Sequence, residues 1–433
     1  MIAALREALD RTLLLMRDEL TEDVPDETLL TALTGTEIAL VADGRNLASH
    51  SAQSAFITAA LLMARSGHKV HLVAPDVPLV GPQPPLKRGG IVSSLVDVGR
   101  DLLPGISFRV RPSEGEVDLQ VDFGSTTSKL HAKRVISVSA RPWSASLRSS
   151  VPIPWTNTDW PLGGIASGAL VAVEAFKAAM WKLYGYAKNA RSFADRFALT
   201  DTLDFELAPP TTPQPDNLGP LDFISGGAIT NAVLYVIARI LGVSATGRIV
   251  ENDIGELTNL NRYALLLRSM VGVSKAHALA SIDLGGVRVE SVPVRYDRQT
   301  AQKIGRFAPR VLVGVDDIPT RWEVQRANPC WLGVGATSHW SSMASFHARG
   351  AACAGCLHPI DDPDNRPIPT VAFVSFWAGL LLATYFLREA CGKLSPVSQQ
   401  STYLTPLRPE LPWRTPVAVS ERCPVGHKES HIV

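Results

Sequence analysis

Residues Asp222 to Asp253 read DFISGGAITNAVLYVIARILGVSATGRIVEND, and the order of signals in this run decides the fold. Phe223-Ile224 is an apolar strand tip broken by Ser225-Gly226-Gly227, a turn signal. Apolar residues from Asn231 to Leu241 then continue for the length of a buried helix, and Gly247 to Val250 gives a second strand ending in Glu251-Asn252-Asp253. Strand, glycine turn, helix and strand form the unit that builds parallel sheets. Ligands of such sheets sit beyond the carboxyl ends of the strands, where the loop opening the helix offers backbone N–H groups to phosphate. Gly226-Gly227 stands at that point, and Glu251 follows Gly227 by 24 residues. That is near the offset of about 20 residues expected of an acid that binds ribose hydroxyls. A tight turn followed by a strand-end acid would give the same pattern with no ligand.

Outward from this run the same order of elements occurs twice. In the first half a helix is expected over 1–20, a strand over 37–44, a helix over 51–66, and a strand at Val70 to Ala74 ending in Pro75-Asp76. Val117 to Phe123 and Arg134 to Ser139 extend the sheet, and a long apolar helix from Ile165 to Leu183 closes the half. The second half repeats the strand, helix and strand, adds a strand at Arg310 to Val315 ending in Asp316-Asp317, and closes with an apolar helix over 371–389. Between them ELAPPTTPQPDNLGP, residues 206–220, is dense in proline, which removes backbone donors and disfavours helix before it. The expectation is an α/β chain of two Rossmann-like parallel-sheet domains, 1–205 and 221–433, joined by a linker over 206–220 and forming a pseudo-dimer.

Composition narrows the class. With 433 residues the chain exceeds one compact core. Lys+Arg 42 against Asp+Glu 41 gives a net charge of +1, so no chain-wide field would hold nucleic acid or an anionic membrane. Hydrophobic residues at 46% with charged residues at 19% argue against a largely disordered chain. Val371 to Leu387 carries no charge, but its 17 residues are fewer than the roughly 20 a membrane helix needs, so it reads as a core helix. The N-terminus mixes charges into a helical pattern unlike a secretory signal. The 5 cysteines, all from Cys330 onward, fit a reducing compartment, and a cytoplasmic location is expected.

The segment from Glu251-Asn252-Asp253 through Asn259-Leu260-Asn261-Arg262 to Gly272-Val273-Ser274-Lys275-Ala276, followed by Asp316 and Arg321 in GVDDIPTR, resembles the superfamily of ubiquitin-activating enzymes, MoeB and ThiF. The resemblance covers about 220–430 and extends weakly into the first half. It implies an adenylyltransferase that binds ATP with Mg²⁺ and activates the C-terminal carboxylate of a ubiquitin-like or sulfur-carrier protein. It further implies that Arg262 and Lys275 hold phosphates, Asp316 holds the Mg²⁺, Glu251 takes the ribose and Asn259 orients the phosphates. Gly226, Gly227 and Asp253 would complete the nucleotide site. The residue types suit the chemistry, since fixed cations and a carboxylate-held metal neutralise a triphosphate and its departing pyrophosphate. Each also has a plain structural reading, as a solvated helix charge or a strand-end cap.

Two departures from the family pattern are visible. Ile224 and Ile229 stand where the outer glycines of G-x-G-G-x-G would be, so weaker nucleotide affinity is expected. The stretch 357–367, which matches the family's crossover loop, has no cysteine to form a thioester. The activated product would then leave as the acyl adenylate, or pass to a hydroxyl such as Thr370. Cys330 and Cys391 read as buried inert thiols. His339 and His347 read as structural.

Cys353-Ala354-Gly355-Cys356 is a C-x-x-C, and Cys423 with His427 forms a C-x-x-x-H; together they offer the four ligands of a structural zinc site, against a redox pair or unliganded thiols. The family carries C-x-x-C at both places, so His427 replaces the last cysteine. The first half has only Asp43-Gly44-Arg45 at its glycine-turn position. By resemblance to two-domain activating enzymes it is an inactive adenylation-like half, one arginine of which would reach the partner site. A monomeric pseudo-dimer or a homodimer would serve, and a conjugating enzyme could take the product. Two rival readings are a nicotinamide-dependent oxidoreductase on the same sheet and a non-enzymatic scaffold that binds a carrier.

Overall fold

The computed structural model describes residues 2–87, 89–110, 116–124, 130–149, 151–361, 367–393 and 395–426. The first half forms a sheet of β1 (Glu37–Val41), β2 (Lys69–Val73), β3 (Phe108–Val110), β4 (Val117–Phe123), β5 (Ala132–Arg141), β6 (Ser144–Ser149) and β7 (Thr202–Glu206). Its spatial order is β3-β2-β1-β4-β5-β6-β7. The second half forms β8 (Asn217–Ile224), β9 (Ser244–Val250), β10 (Val287–Val292), β11 (Arg310–Val313), β12 (Trp331–Ser338), β13 (Ser341–Ala348), β14 (Ser401–Leu404) and β15 (Trp413–Thr415). Its order is β10-β9-β8-β11-β12-β13-β14-β15. In both sheets the first five strands are parallel and the later ones antiparallel. Two copies of one topology, the second longer by an edge strand, are therefore present.

The repeat reaches the packing of helices. His50–Arg65 lies against Leu162–Trp181 in the first half, as Ala228–Ile237 lies against Ala372–Ala390 in the second. Each long helix carries a glycine where it crosses its neighbour. A Cβ on Gly168 would meet the Ala55 carbonyl oxygen at 2.4 Å, and one on Gly379 would meet Ala232 Cβ at 2.4 Å. Both backbones approach because no side chain intervenes. The halves share one apolar core, joined by Phe176 against Phe373 at 5.4 Å between ring centroids and by a 2.8 Å hydrogen bond between the Thr58 and Tyr235 hydroxyls. Leu162–Trp181 is long and apolar enough to cross a bilayer, but it is 94% buried in this core over its most apolar stretch. Ala372–Ala390 is buried along most of its length, as a core helix should be.

Some boundaries differ from the sequence reading. The helix expected over 1–20 is two, Ile2–Ala8 and Asp10–Arg17. The proline-rich stretch overlaps β8 at Asn217–Pro220. Pro220 is tolerated beside Thr246 because the register shifts between Asn217 and Gly219, an irregularity of the kind where strand proline occurs. Leu218 is buried there. Cys330 is exposed rather than buried, because it directly precedes β12 in a turn; Cys391 is partly buried, with its thiol donating to the Leu387 carbonyl at 2.8 Å.

Candidate nucleotide site

Parallel register brings the tips of three strands level: Ile224 of β8 pairs with Val250 of β9 on one side and Val313 of β11 on the other. The chain leaving each tip turns toward the same edge of the sheet. There Ser225, Gly227, Glu251, Asp253, Gly314 and Asp316 line one cavity of about 520 Å³. Gly227 is the N-cap of Ala228–Ile237, so the positive end of that helix dipole faces the cavity. Ser225 carries φ +96°, a strained conformation for a residue with a Cβ. The strain is offset locally. Ser225 Oγ accepts from the Gly227 N–H at 2.9 Å and donates to Glu251 Oε2 at 3.3 Å. Glu251 Oε2 also accepts from the Gly226 N–H at 2.9 Å, and Oε1 from the Asp253 N–H at 3.0 Å.

Arg262 and Lys275 arrive from segments outside the sheet. Ser274 caps the helix Lys275–Ala280, and the Lys275 ammonium lies 3.1 Å from Asp253 Oδ2. Burial works against its charge, but the Tyr263 phenol and the Asp253 and Glu251 carboxylates outweigh burial and hold the ammonium above its usual value. Arg262 donates to the Thr258 carbonyl at 2.5 Å and to Asn261 Oδ1 at 3.0 Å. Burial first, and then the Arg11 charge, push its guanidinium below the usual arginine range, against the opposing pull of Tyr263, Asp316 and Glu256. Tyr263 neighbours both cations, its ring centroid 5.5 Å from the Arg262 guanidinium and 5.8 Å from the Lys275 ammonium, within cation–π range. No spacing in the sequence points to Tyr263 as part of the site.

The other expected residues divide. Asp316 lines the cavity and makes no hydrogen bond or ion pair among the described residues. Arg321 is buried behind it, donating to the Val315 carbonyl at 3.1 and 2.7 Å, and so braces the loop that carries Asp316. Gly226 and Asn259 are not among the cavity-lining residues. The Asn259 side chain accepts from the Glu256 N–H at 3.0 Å in a capping box, which anchors the turn leading to Arg262. Thr370 is in the lining, 3.3 Å from the Ser375 hydroxyl. The first half contributes Arg11, on the helix Asp10–Arg17, an arginine that the sequence alone could not choose. Arg295, Tyr296 and Thr337 complete a rim that no spacing indicated.

Away from the cavity, the sulfurs of Cys353, Cys356 and Cys423 lie within 4.8 Å of one another. Cys353 Sγ is 3.7 Å from Cys356 Sγ and 3.3 Å from Cys423 Sγ. Tetrahedral zinc with bonds of about 2.3 Å separates its sulfurs by about 3.8 Å, so the arrangement fits a metal thiolate site. Burial pushes the Cys353 thiol up to about 12, with its sulfur neighbours adding to the effect. His427, the expected fourth ligand, lies outside the described residues. His347 is structural as expected: it is buried, and burial brings its imidazole down to about 4.

No protein-family model matches the chain. It is 26% identical over 220 residues to the uncharacterized protein y4jF of Sinorhizobium fredii, a match covering 50% of this chain and 42% of that protein. It is 27% identical over 154 residues to the SAMP-activating enzyme E1 of Haloferax volcanii, covering 34% of this chain and 56% of the enzyme. The matches thus span about half the length of these curated relatives. Among solved structures, E. coli MccB with ATP aligns at TM-score 0.41 and 17% identity over 58% of this chain and 74% of that one. MccB with MccA aligns at 0.41 and 16% over 58% and 73%. The similarity to an E1 enzyme supports the resemblance to the superfamily of ubiquitin-activating enzymes.

Proposed function

We propose that this chain adenylates the C-terminal carboxylate of a small carrier protein or peptide of the ubiquitin-like or sulfur-carrier kind, at the expense of ATP. The observation that carries the reading is one cavity at the strand tips into which Arg262, Lys275 and Asp316, from three separate segments, all open. The relatedness to a SAMP-activating enzyme E1 supports the same reaction class.

In the reaction the carrier carboxylate attacks the α-phosphorus of ATP, one P–O bond forms, and the bond to the departing pyrophosphate breaks. The attacking carboxylate is already ionised at neutral pH, so no general base is needed. The chain's own contribution is alignment and charge. Arg262 and Lys275 serve as fixed cations for the phosphates, and Arg11 of the first half adds a third. The Gly227 helix terminus favours anionic oxygens. Glu251 stands where ribose hydroxyls would be read, and Asn259 acts through the turn it caps. Asp316, a cavity carboxylate with no hydrogen bond of its own among the described residues, suits a Mg²⁺ ligand. That ion would supply neutralisation of the triphosphate.

The first half lends Arg11 and a shared core rather than a second nucleotide site. No cysteine is among the residues lining the cavity, which favours release of the acyl adenylate or transfer to the Thr370 hydroxyl. A zinc held by Cys353, Cys356, Cys423 and His427 would pin the C-terminal segment. We place the reaction in the cytoplasm, with a conjugating enzyme as a recipient of the product. The test is exchange of labelled pyrophosphate into ATP with candidate carriers. Carrier-dependent exchange is expected. A nicotinamide oxidoreductase would instead bind dinucleotide without Mg²⁺ dependence, and a carrier-binding scaffold would exchange no label.

A further inference from the structure

We propose that Arg65, in the half without the nucleotide machinery, is a positioning residue that clamps the phosphate-binding loop of the other half; its consequence for ATP rests on the adenylation reading. Arg65 ends the helix His50–Arg65 and is wholly buried. Its guanidinium crosses between the halves and donates to three carbonyls of one loop: Leu260 at 2.5 Å, Leu266 at 2.7 Å and Ala264 at 3.2 Å. No carboxylate pairs with it among the described residues. Burial draws the guanidinium down to about 9, which still leaves it a cation at neutral pH.

A buried cation without a counter-ion is costly, and an apolar side chain would fill the same space at lower cost. What Arg65 supplies is a planar fork of donors that no apolar residue and no lysine can match. The loop needs such a fork. Residues 260–267 have no regular helix or strand, yet Leu260, Ala264, Leu265 and Leu266 are buried, so their carbonyls must find donors inside the protein. The contacted carbonyls flank Arg262 and Tyr263 in sequence, and fixing them fixes the base from which both side chains reach the cavity. The opposite side of the loop is held by Asn231, whose Oδ1 accepts from the Leu265 N–H at 3.3 Å. Asn231 Nδ2 also donates to the Gly226 and Gly227 carbonyls at 3.0 and 2.9 Å. Asn261 adds a second link to the first half, donating to Thr12 Oγ1 at 3.0 Å. The silent half thereby sets where the phosphate cations stand.

Two measurements on the full chain decide the matter, using Arg65→Met and the charge-retaining Arg65→Lys. Amide hydrogen exchange of residues 260–267 is expected to speed up at least about tenfold in either variant that folds, while exchange of Leu162–Trp181 stays as in the parent. Loop and core speeding up together would overturn the inference, because Arg65 would then be only a stability residue. ATP affinity measured by calorimetry is expected to fall about tenfold in Arg65→Lys, and the double variant Arg65→Lys/Arg262→Ala should bind no more weakly than Arg262→Ala alone, within about twofold. Additive losses would also overturn it. Parent protein that binds no ATP would overturn the nucleotide reading, whereas the exchange measurement would still decide the role of Arg65.

Discussion

Asp316 and Asp317 are consecutive and both line the cavity, yet Asp317 is already engaged, its Oδ2 accepting from the Thr320 N–H at 2.8 Å to cap the helix Ile318–Arg326 and its Oδ1 lying 3.6 Å from Arg295, while Asp316 has no hydrogen-bond or ion-pair partner among the described residues. Asp317→Ala should therefore lower stability by about 1 kcal/mol, as loss of an N-cap does, and leave ATP binding nearly intact. Asp316→Ala should leave the unfolding midpoint unchanged and abolish Mg²⁺-dependent exchange. The reverse pattern in paired denaturation and exchange assays would refute the assignment.

Replacing Arg262 or Lys275 by Ala should cut carrier-dependent exchange by about 10²-fold or more, the scale seen when one preorganised group at a transition state is lost. Arg11→Ala should lower it less, because Arg11 reaches the cavity from the other half. Asp43→Ala, at the matching turn of the first sheet, should change nothing. Steady-state exchange rates at saturating ATP check all four; an Asp43 effect equal to that of Lys275 would mean that both halves are active.

The sulfur cluster predicts about one zinc per chain by elemental analysis. Cys353→Ser should lose that metal and expose residues 416–426 to proteases, since a metal site contributes folding energy to the segment it pins. A variant that keeps full zinc would exclude Cys353 as a ligand.

Stability should fall on mild acidification. Burial, opposed only in part by a bond to the Leu33 carbonyl, brings the His68 imidazole down from 6.5 to about 4, and burial does the same to His347. The unfolded chain then binds more protons than the folded one between about pH 6.5 and 4, so stability is full above that window and declines as pH falls through it. At 1.36 kcal/mol per unit, each buried imidazole costs roughly 2 kcal/mol at pH 5. Urea midpoints at pH 7.5 and 5.0 measure the loss, and His68→Gln should flatten it. An equal slope in that variant would count against a buried neutral imidazole.

Much of this site is legible in the chain because its residues are local to strand ends. Ser225-Gly226-Gly227, Glu251 and Asp316 each follow an apolar run within a few residues, and parallel pairing of such runs brings their tips level. The antiparallel strands β6, β7 and β13 to β15 are harder to read, since short mixed segments such as Trp413–Thr415 carry little periodicity of their own. Pro220 misled the linker boundary because a register shift, which no single residue announces, accommodates it.

Periodicity, turn residues and the doubled order of elements determined by themselves that two α/β units exist, while the acids and cations of the second were singled out by the family resemblance of its sequence from Glu251 to Arg321. Tertiary structure alone decided that Arg11 enters the cavity and that Arg65 crosses the interface to hold Leu260, Ala264 and Leu266. The reason is range. Local propensity and strand pairing are written in neighbouring residues, whereas contacts between positions some 200 apart depend on how two finished sheets pack their helices into one core.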